Sequence, residues 1–264
     1  MLIDTCIKQV NIKFPFPNYI DDKFYNVVYN ISKTIRKYIE PGAKILDFGS
    51  GPCDKTAVIQ CLGYQCFAFD DLLDNWHRES NNLEKILGFA NEFNIEFKLA
   101  ERDGYLPFPT DYFDMIMLHD VLEHLHSSPR GLLNDLCKLL KADGLLFVTV
   151  PNAVNIRKRI SVLKGETNLP PYEAYYWYPG EWRGHVREYV KNDLVLLSYY
   201  LGLQTLELTS CHHMIHLVPS LVRPAFSALT KMFPGWRDTW LLIARKPYNW
   251  TPQVREYHAS FINQ

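Results

Sequence analysis

Asp47-Phe48-Gly49-Ser50-Gly51 closes a short apolar run, KILDF, and Asp70 closes the next one, CFAFD, nineteen residues after Gly51. Glycines let a backbone approach a ligand closely, and a carboxylate at the tip of the neighbouring strand is placed to accept hydrogen bonds from ribose hydroxyls. The constellation therefore points to a nucleoside-bearing cofactor. A dinucleotide would want a third glycine where this chain has Asp54, and a carboxylate at that helix N-terminus competes with a pyrophosphate for the same place. An acid-flanked turn suits a ligand carrying an ammonium and a sulfonium, with Asp47 and Asp70 meeting positive charge and hydroxyls. A plain link from strand to helix would account for the glycines and leave Asp70 without a reason.

The elements that must hold these residues alternate along the chain. Phe24, Val27, Val28, Ile31, Ile35 and Ile39 recur at helical spacing, and Pro41-Gly42 ends the pattern. After the run that ends at the glycines, residues 54–62 predict a brief helix and CFAFD a second buried strand. The rhythm continues with a helix over about 81–94, strands over 95–100 and 113–118, a helix near 129–141 and a strand over 145–150. Segment 151–190 interrupts it with four prolines and the cluster Tyr172, Tyr175, Tyr176, Trp177, Tyr178 and Trp182. A helix over about 190–201, a strand at 204–210, an irregular apolar stretch at 212–234 and a strand at 239–245 follow. Strands alternating with helices predict an α/β fold, a doubly wound and mostly parallel seven-stranded sheet covered on both faces. The expected organisation is one domain over 1–264, with an N-terminal helical cap (1–40), a cofactor-binding core (41–150 and 190–247) and a lid (151–189).

The composition agrees with a globular protein of this size. Of 264 residues, 47% are hydrophobic and 22% charged, which excludes disordered and fibrous classes. A net charge of −1 is too even to steer the whole molecule to a polyanion, and Arg157, Lys158 and Arg159 read as a solvated helix face, so no nucleic acid partner is expected. The six cysteines form no Cys-x-x-Cys pair, and no stretch reaches the length of a membrane span. A cytoplasmic protein is the expectation.

At this point the sequence resembles the class I S-adenosylmethionine-dependent methyltransferases, through ILDFGSGPC (45–53), CFAFDD (66–71), DGYLPFPTDYFDMIMLHDVLEHL (103–125), LCKLLKADGLLFVTVPN (136–152) and GHVREYV (184–190). It is most similar to the branch with ubiquinone-biosynthesis O-methyltransferases and bacterial sugar or natural-product methyltransferases. The resemblance implies S-adenosyl-L-methionine as cofactor, S-adenosyl-L-homocysteine as product, and a last strand antiparallel to the rest. It also implies that Asp47, Gly49, Ser50 and Gly51 face the methionine end, Asp70 the ribose, with Asp71 as its substitute, and Asp103 with Gly104 the adenine edge. His119 would sit at the tip of the fourth strand, beside the cofactor. The chain departs from the family where Cys53 replaces a customary third glycine.

Methyl transfer from a sulfonium is an in-line displacement, which asks the protein to hold an acceptor in a dry pocket and, for a hydroxyl, to remove its proton. His185, His119 and His124 are the candidate bases, and His185 leads because its Gly-His-x-x-x-Tyr setting matches a family stretch near the acceptor. The expected acceptor is a small molecule or a glycan; protein or nucleic-acid methylation, and a nucleoside-binding regulatory module without turnover, are the alternatives. Asp120, Glu123 and His124 resemble an acidic motif that binds a divalent ion in some relatives; the shorter Asp leads to the expectation that no metal is used here. Leu169-Pro170-Pro171-Tyr172 is similar to a motif of adenine methyltransferases, but it follows the fifth strand and begins with Leu. The aromatic run Tyr172 to Trp182 is expected to act as an acceptor lid.

Overall fold

The structure, a computed structural model, describes residues 2–253 apart from 18, 21 and 102–104. Two helices come first, α1 (Ile3–Lys13) and α2 (Asp22–Tyr38), followed by β1 (Lys44–Phe48), α3 (Asp54–Cys61) and β2 (Gln65–Asp70). Short α4 (Asn75–Arg78), α5 (Asn82–Glu92) and β3 (Glu96–Leu99) lead to β4 (Phe113–His119), α6 (Arg130–Leu139) and β5 (Leu140–Pro151). The segment after β5 carries α7 (Ile156–Leu163) and α8 (Tyr172–Tyr176), and the chain then forms α9 (Lys191–Tyr200), β6 (Gln204–Cys211), α10 (Arg223–Met232) and β7 (Thr239–Arg245).

The strands form one sheet in the order β3-β2-β1-β4-β5-β7-β6. β1 pairs in parallel with β2 and with β4, whereas β7 runs antiparallel to both β5 and β6. The strand order therefore reverses between β1 and β4, and a crevice at the carboxyl ends of strands is where such sheets take ligands. The pleat divides the core into two layers. Ile45, Met115, Met117 and Phe147 pack toward the side holding α1, α2, α3 and α5, while Leu46, Ile116, Leu118 and Val148 pack toward α6 and α9. Strands buried on both faces read as continuous apolar runs, which is why KILDF, FDMIML and LLFVTV were legible.

Five helices depart from the sequence expectation, the single turn of α4 among them. α1 buries only Cys6, Ile7 and Val10, too narrow a stripe to register as a helical pattern. α7 and α8 lie within the proline-rich segment, and neither has a buried residue. α10 falls inside the stretch expected to be irregular. β5 also begins earlier than expected, because Leu140 already pairs with Phe113 before the register shifts to Met115 opposite Leu145. Among the described residues no helix is long and apolar enough to cross a membrane.

Candidate active site

The turn after β1 is tied to β2 from both sides. Gly49 N–H donates to the Phe69 carbonyl at 2.8 Å, and Gly51 N–H donates to Asp70 Oδ2 at 2.8 Å. Gly49 has φ +75°, and a Cβ there would stand 2.5 Å from Cγ2 of Val121, so its backbone conformation and its surroundings both require glycine. Cys53, in the place of the third glycine, takes φ +63° as the N-cap of α3 and buries its side chain in the core beside Ala57 and Val58. The departure from the family pattern thus points a thiol inward and leaves the ligand side of the turn open.

Carboxylates surround this turn. Asp47 is buried and accepts from Thr56 Oγ1 at 2.5 Å; burial raises its pKa to about 6 against the pull of Thr56 and Lys55. Asp54 is buried as well, with Lys55 Nζ 3.7 Å from its carboxylate. Burial also raises the Asp70 pKa, while the N–H groups of Leu72 and Gly51 pull the other way. Three carboxylates against one ammonium make a site suited to a cationic ligand. Asp71 is differently engaged: Arg183 Nη2 meets its two oxygens at 2.9 and 3.0 Å, and Arg183 Nε reaches Asp74 at 2.5 Å. That arginine joins segment 151–189 to the loop after β2.

Beyond β4 a second cluster forms. Asp120 takes φ +57°, and the 3-10 turn Leu122–His124 that follows buries Glu123 completely, with neither carboxylate oxygen hydrogen-bonded. Burial, and then Asp120, raise the Glu123 pKa to about 9. The carbonyl of Glu123 accepts from Val186 N–H at 2.7 Å and Arg187 N–H at 3.2 Å, which brings His185 alongside. His124 Nδ1 donates to the Arg183 carbonyl at 2.7 Å and His185 Nδ1 to Glu188 Oε1 at 2.8 Å, so each ring keeps its Nε2 for another partner. The rings lie 5.1 Å apart. Burial lowers the His185 pKa, helped by His124 and Lys158 and opposed by Asp120, which favours the neutral ring. Donor atoms of Glu123, His124 and His185 all fall within 4.8 Å of one another. An unpartnered buried carboxylate and two imidazoles braced through Nδ1 fit a divalent cation of the borderline type.

Of the candidate bases, the structure brings His124 and His185 together and sets His119 apart. His119 is buried, hydrogen-bonded through Nδ1 to Thr149 Oγ1 at 3.1 Å and edge-on to Phe147, and its Nε2 has no partner. Burial holds its pKa well below the usual range, with Lys55 and His213 adding to the effect. Asp47, Gly49, Ser50, Gly51 and Asp70 gather at the turn, whereas Asp103 and Gly104 lie outside the described residues. Sequence reasoning missed Glu188 and Arg183. Glu188 sits three residues after His185 in a quoted motif, so its pairing was readable; Arg183 meets partners more than a hundred residues away, for which no local signal exists. Gly184 lies between Arg183 and His185, and a Cβ there would run into the ring of Trp182. That ring in turn receives the edges of Tyr175 and Tyr178 at 5.3 and 5.1 Å.

The comparisons with known proteins agree with this geometry. A structure of an S-adenosylmethionine-dependent methyltransferase from Methanosarcina mazei superposes with a TM-score of 0.55 at 15% identity, over 81% of this chain and 97% of that one. One from Archaeoglobus fulgidus gives 0.53 at 16%, over 83% and 94%. The cyclase SpnF gives 0.56 at 15%, over 92% and 93%. At these identities the likeness is one of fold. No curated protein matches the chain in sequence. The model of the methyltransferase domain family matches residues 24–206, a span running from α2 through the turn, Asp70 and the histidine cluster into β6, and the chain therefore belongs to that family, as an S-adenosylmethionine-dependent methyltransferase of class I fold.

Proposed function

We propose that this enzyme methylates a hydroxyl of a small molecule or glycan, with His185 as the general base and Glu188 as the residue that positions it. The observation that carries the reading is the Glu188-His185 bond: a carboxylate on Nδ1 fixes the tautomer that leaves Nε2 free to take a proton. Lys158 pairs with the other oxygen of Glu188 and holds that carboxylate in place. The cofactor supplies a methyl group made electrophilic by its sulfonium. On this reading Asp47, Gly49, Ser50 and Gly51 hold its methionine end, Asp70 its ribose, Asp103 with Gly104 its adenine, and His119 forms a neutral wall nearby. Segment 151–189 is the acceptor lid. Its hub, Trp182, ties the lid to the cluster through Nε1 and the His185 carbonyl and through its own carbonyl and His126 Nε2, and stiff aromatic walls exclude water from a transfer site. All six cysteines are free, which supports a reducing, cytoplasmic setting.

The unpartnered Glu123 favours a second reading, in which Glu123, His124 and His185 hold a divalent cation. Such an ion would acidify a coordinated hydroxyl, and His185 would then be a ligand instead of a base. One experiment separates the two. Protein incubated with methyl-labelled cofactor and cell extract should yield a labelled ether; unchanged transfer after exhaustive chelation supports the base, and loss restored by manganese or magnesium supports the cation. Label found on nitrogen, carbon or sulfur of the product would overturn the hydroxyl acceptor.

A further inference from the structure

Residues 182–187 are laced to the loop after β4. His124 Nδ1 donates to the Arg183 carbonyl at 2.7 Å and His126 Nε2 to the Trp182 carbonyl at 2.6 Å, while the N–H groups of Val186 and Arg187 share the Glu123 carbonyl. The Arg183 side chain reaches a different place, the loop after β2, where Nη2 meets both oxygens of Asp71 and Nε meets Asp74. In the sheet β1 lies between β2 and β4. A link from the loop after β4 to the loop after β2 therefore crosses the carboxyl end of β1, where the turn Gly49–Gly51 begins. Two strand spacings make that crossing about 10 Å.

The bond that completes the crossing is of the kind that counts. Exposed ion pairs contribute little as a rule, and bidentate or networked pairs are the exception. Here a guanidinium fork on one carboxylate is joined by a second carboxylate, with the Arg183 side chain 34% exposed and Asp71 38%. Both ends are braced. Leu72 N–H donates to Asp70 Oδ1 at 2.7 Å and Leu73 N–H to Asp71 Oδ1 at 2.9 Å, which holds Asp71 beside the carboxylate assigned to the ribose. At the other end the Arg183 carbonyl fixes the His124 ring, and His185 follows two residues later. One arginine thus ties the ribose side of the crevice to the histidine side.

We propose that Arg183 is a positioning residue that straps segment 151–189 across the bound cofactor. With the strap fastened the cofactor is retained and the histidines are held on the transfer side; the cofactor exchanges when the arginine lets go of Asp71 and Asp74. The inference rests on the placement of the cofactor at the turn between β1 and α3.

Release of labelled S-adenosylhomocysteine from the full chain, followed by rapid filtration, tests it. Arg183→Gln should speed release about tenfold or more, the scale of lost charge-assisted bonds, with melting near that of the wild type because the pair is partly exposed. Asp71→Asn with Asp74→Asn should speed release to the same extent, and adding Arg183→Gln to them should change nothing further, as for groups that act as one unit. Arg183→Lys keeps the charge and loses the fork, so its release rate should fall between. Salt of about 0.5 M should speed release from the wild type and leave Arg183→Gln unmoved. Methyl transfer to cell extract by Arg183→Gln should stay about tenfold low at saturating cofactor, with the wild-type pH profile. An unchanged release rate together with lowered melting would make Arg183 a brace of the fold and overturn the proposal, and so would arginine and aspartate effects that add. A wild-type chain that binds no S-adenosylhomocysteine would overturn the cofactor placement and the proposal together, whereas tight binding with unchanged release overturns the proposal alone.

Discussion

Asp70 illustrates how one carboxylate can hold a turn and still offer acceptors to a ligand. Its oxygens already accept N–H bonds from Gly51 and Leu72, and each has lone-pair capacity left for a ribose hydroxyl. Asp70→Asn should keep the turn, since the amide oxygen still accepts one of these bonds, yet weaken S-adenosylhomocysteine binding by about 1.5–3 kcal/mol, the scale of charge-assisted hydrogen bonds. Calorimetry checks this, and unchanged affinity would move the ribose contact elsewhere. Asp71 is the poorer substitute because Arg183 occupies both of its oxygens. His119 makes a second prediction at this scale. Its folded pKa is lowered by burial, so as pH falls below the unfolded value of about 6.5 the unfolded chain takes up a proton that the folded one refuses. The stability that His119 contributes is present above that pH and lost progressively below it. Denaturant titrations of His119→Gln should lack this acid-side loss. Asp47, with its pKa raised to about 6, works in the opposite sense between about pH 4 and 6, so the single variant is needed to isolate the histidine.

At the scale of elements, the turn between β1 and α3 leaves little room for change. Gly49→Ala must bear a left-handed backbone and a collision with Val121, and should destabilise by about 2–4 kcal/mol. Thermal melting measures it, and a wild-type midpoint would show that Val121 can move aside without cost. The same scale shows what the sequence could reveal. β1, β4 and β5 were legible because fully buried parallel strands are unbroken apolar runs, and α2 was legible because its buried residues recur at helical spacing. α10 was not, because its apolar residues face outward and no core-facing stripe exists to be read. The pairing of Arg183 with Asp71 and Asp74 was illegible for another reason: a contact between segment 151–189 and a distant loop is a product of the finished fold.

For the molecule as a whole, the seven-stranded, mostly parallel sheet and the antiparallel β7 follow the sequence expectation, yet the fold alone does not set the chemistry. A cyclase shares it with methyltransferases, so function must be argued from the site. The proposed cofactor half of the site was readable in the sequence as glycines and an acid at fixed spacing. Its acceptor half was readable only as a set of histidines; which of them meet depends on how segment 151–189 folds back onto Glu123, a long-range event. His185 carries the proposed chemistry. Parallel measurements of methyl transfer and of S-adenosylhomocysteine affinity in His185→Ala test it most directly. Transfer should fall about a hundredfold or more, the scale of a lost general base, while affinity stays within about twofold, because the cofactor turn is built from other elements. An unchanged rate, or a loss of affinity that matches the loss of rate, would contradict the assignment.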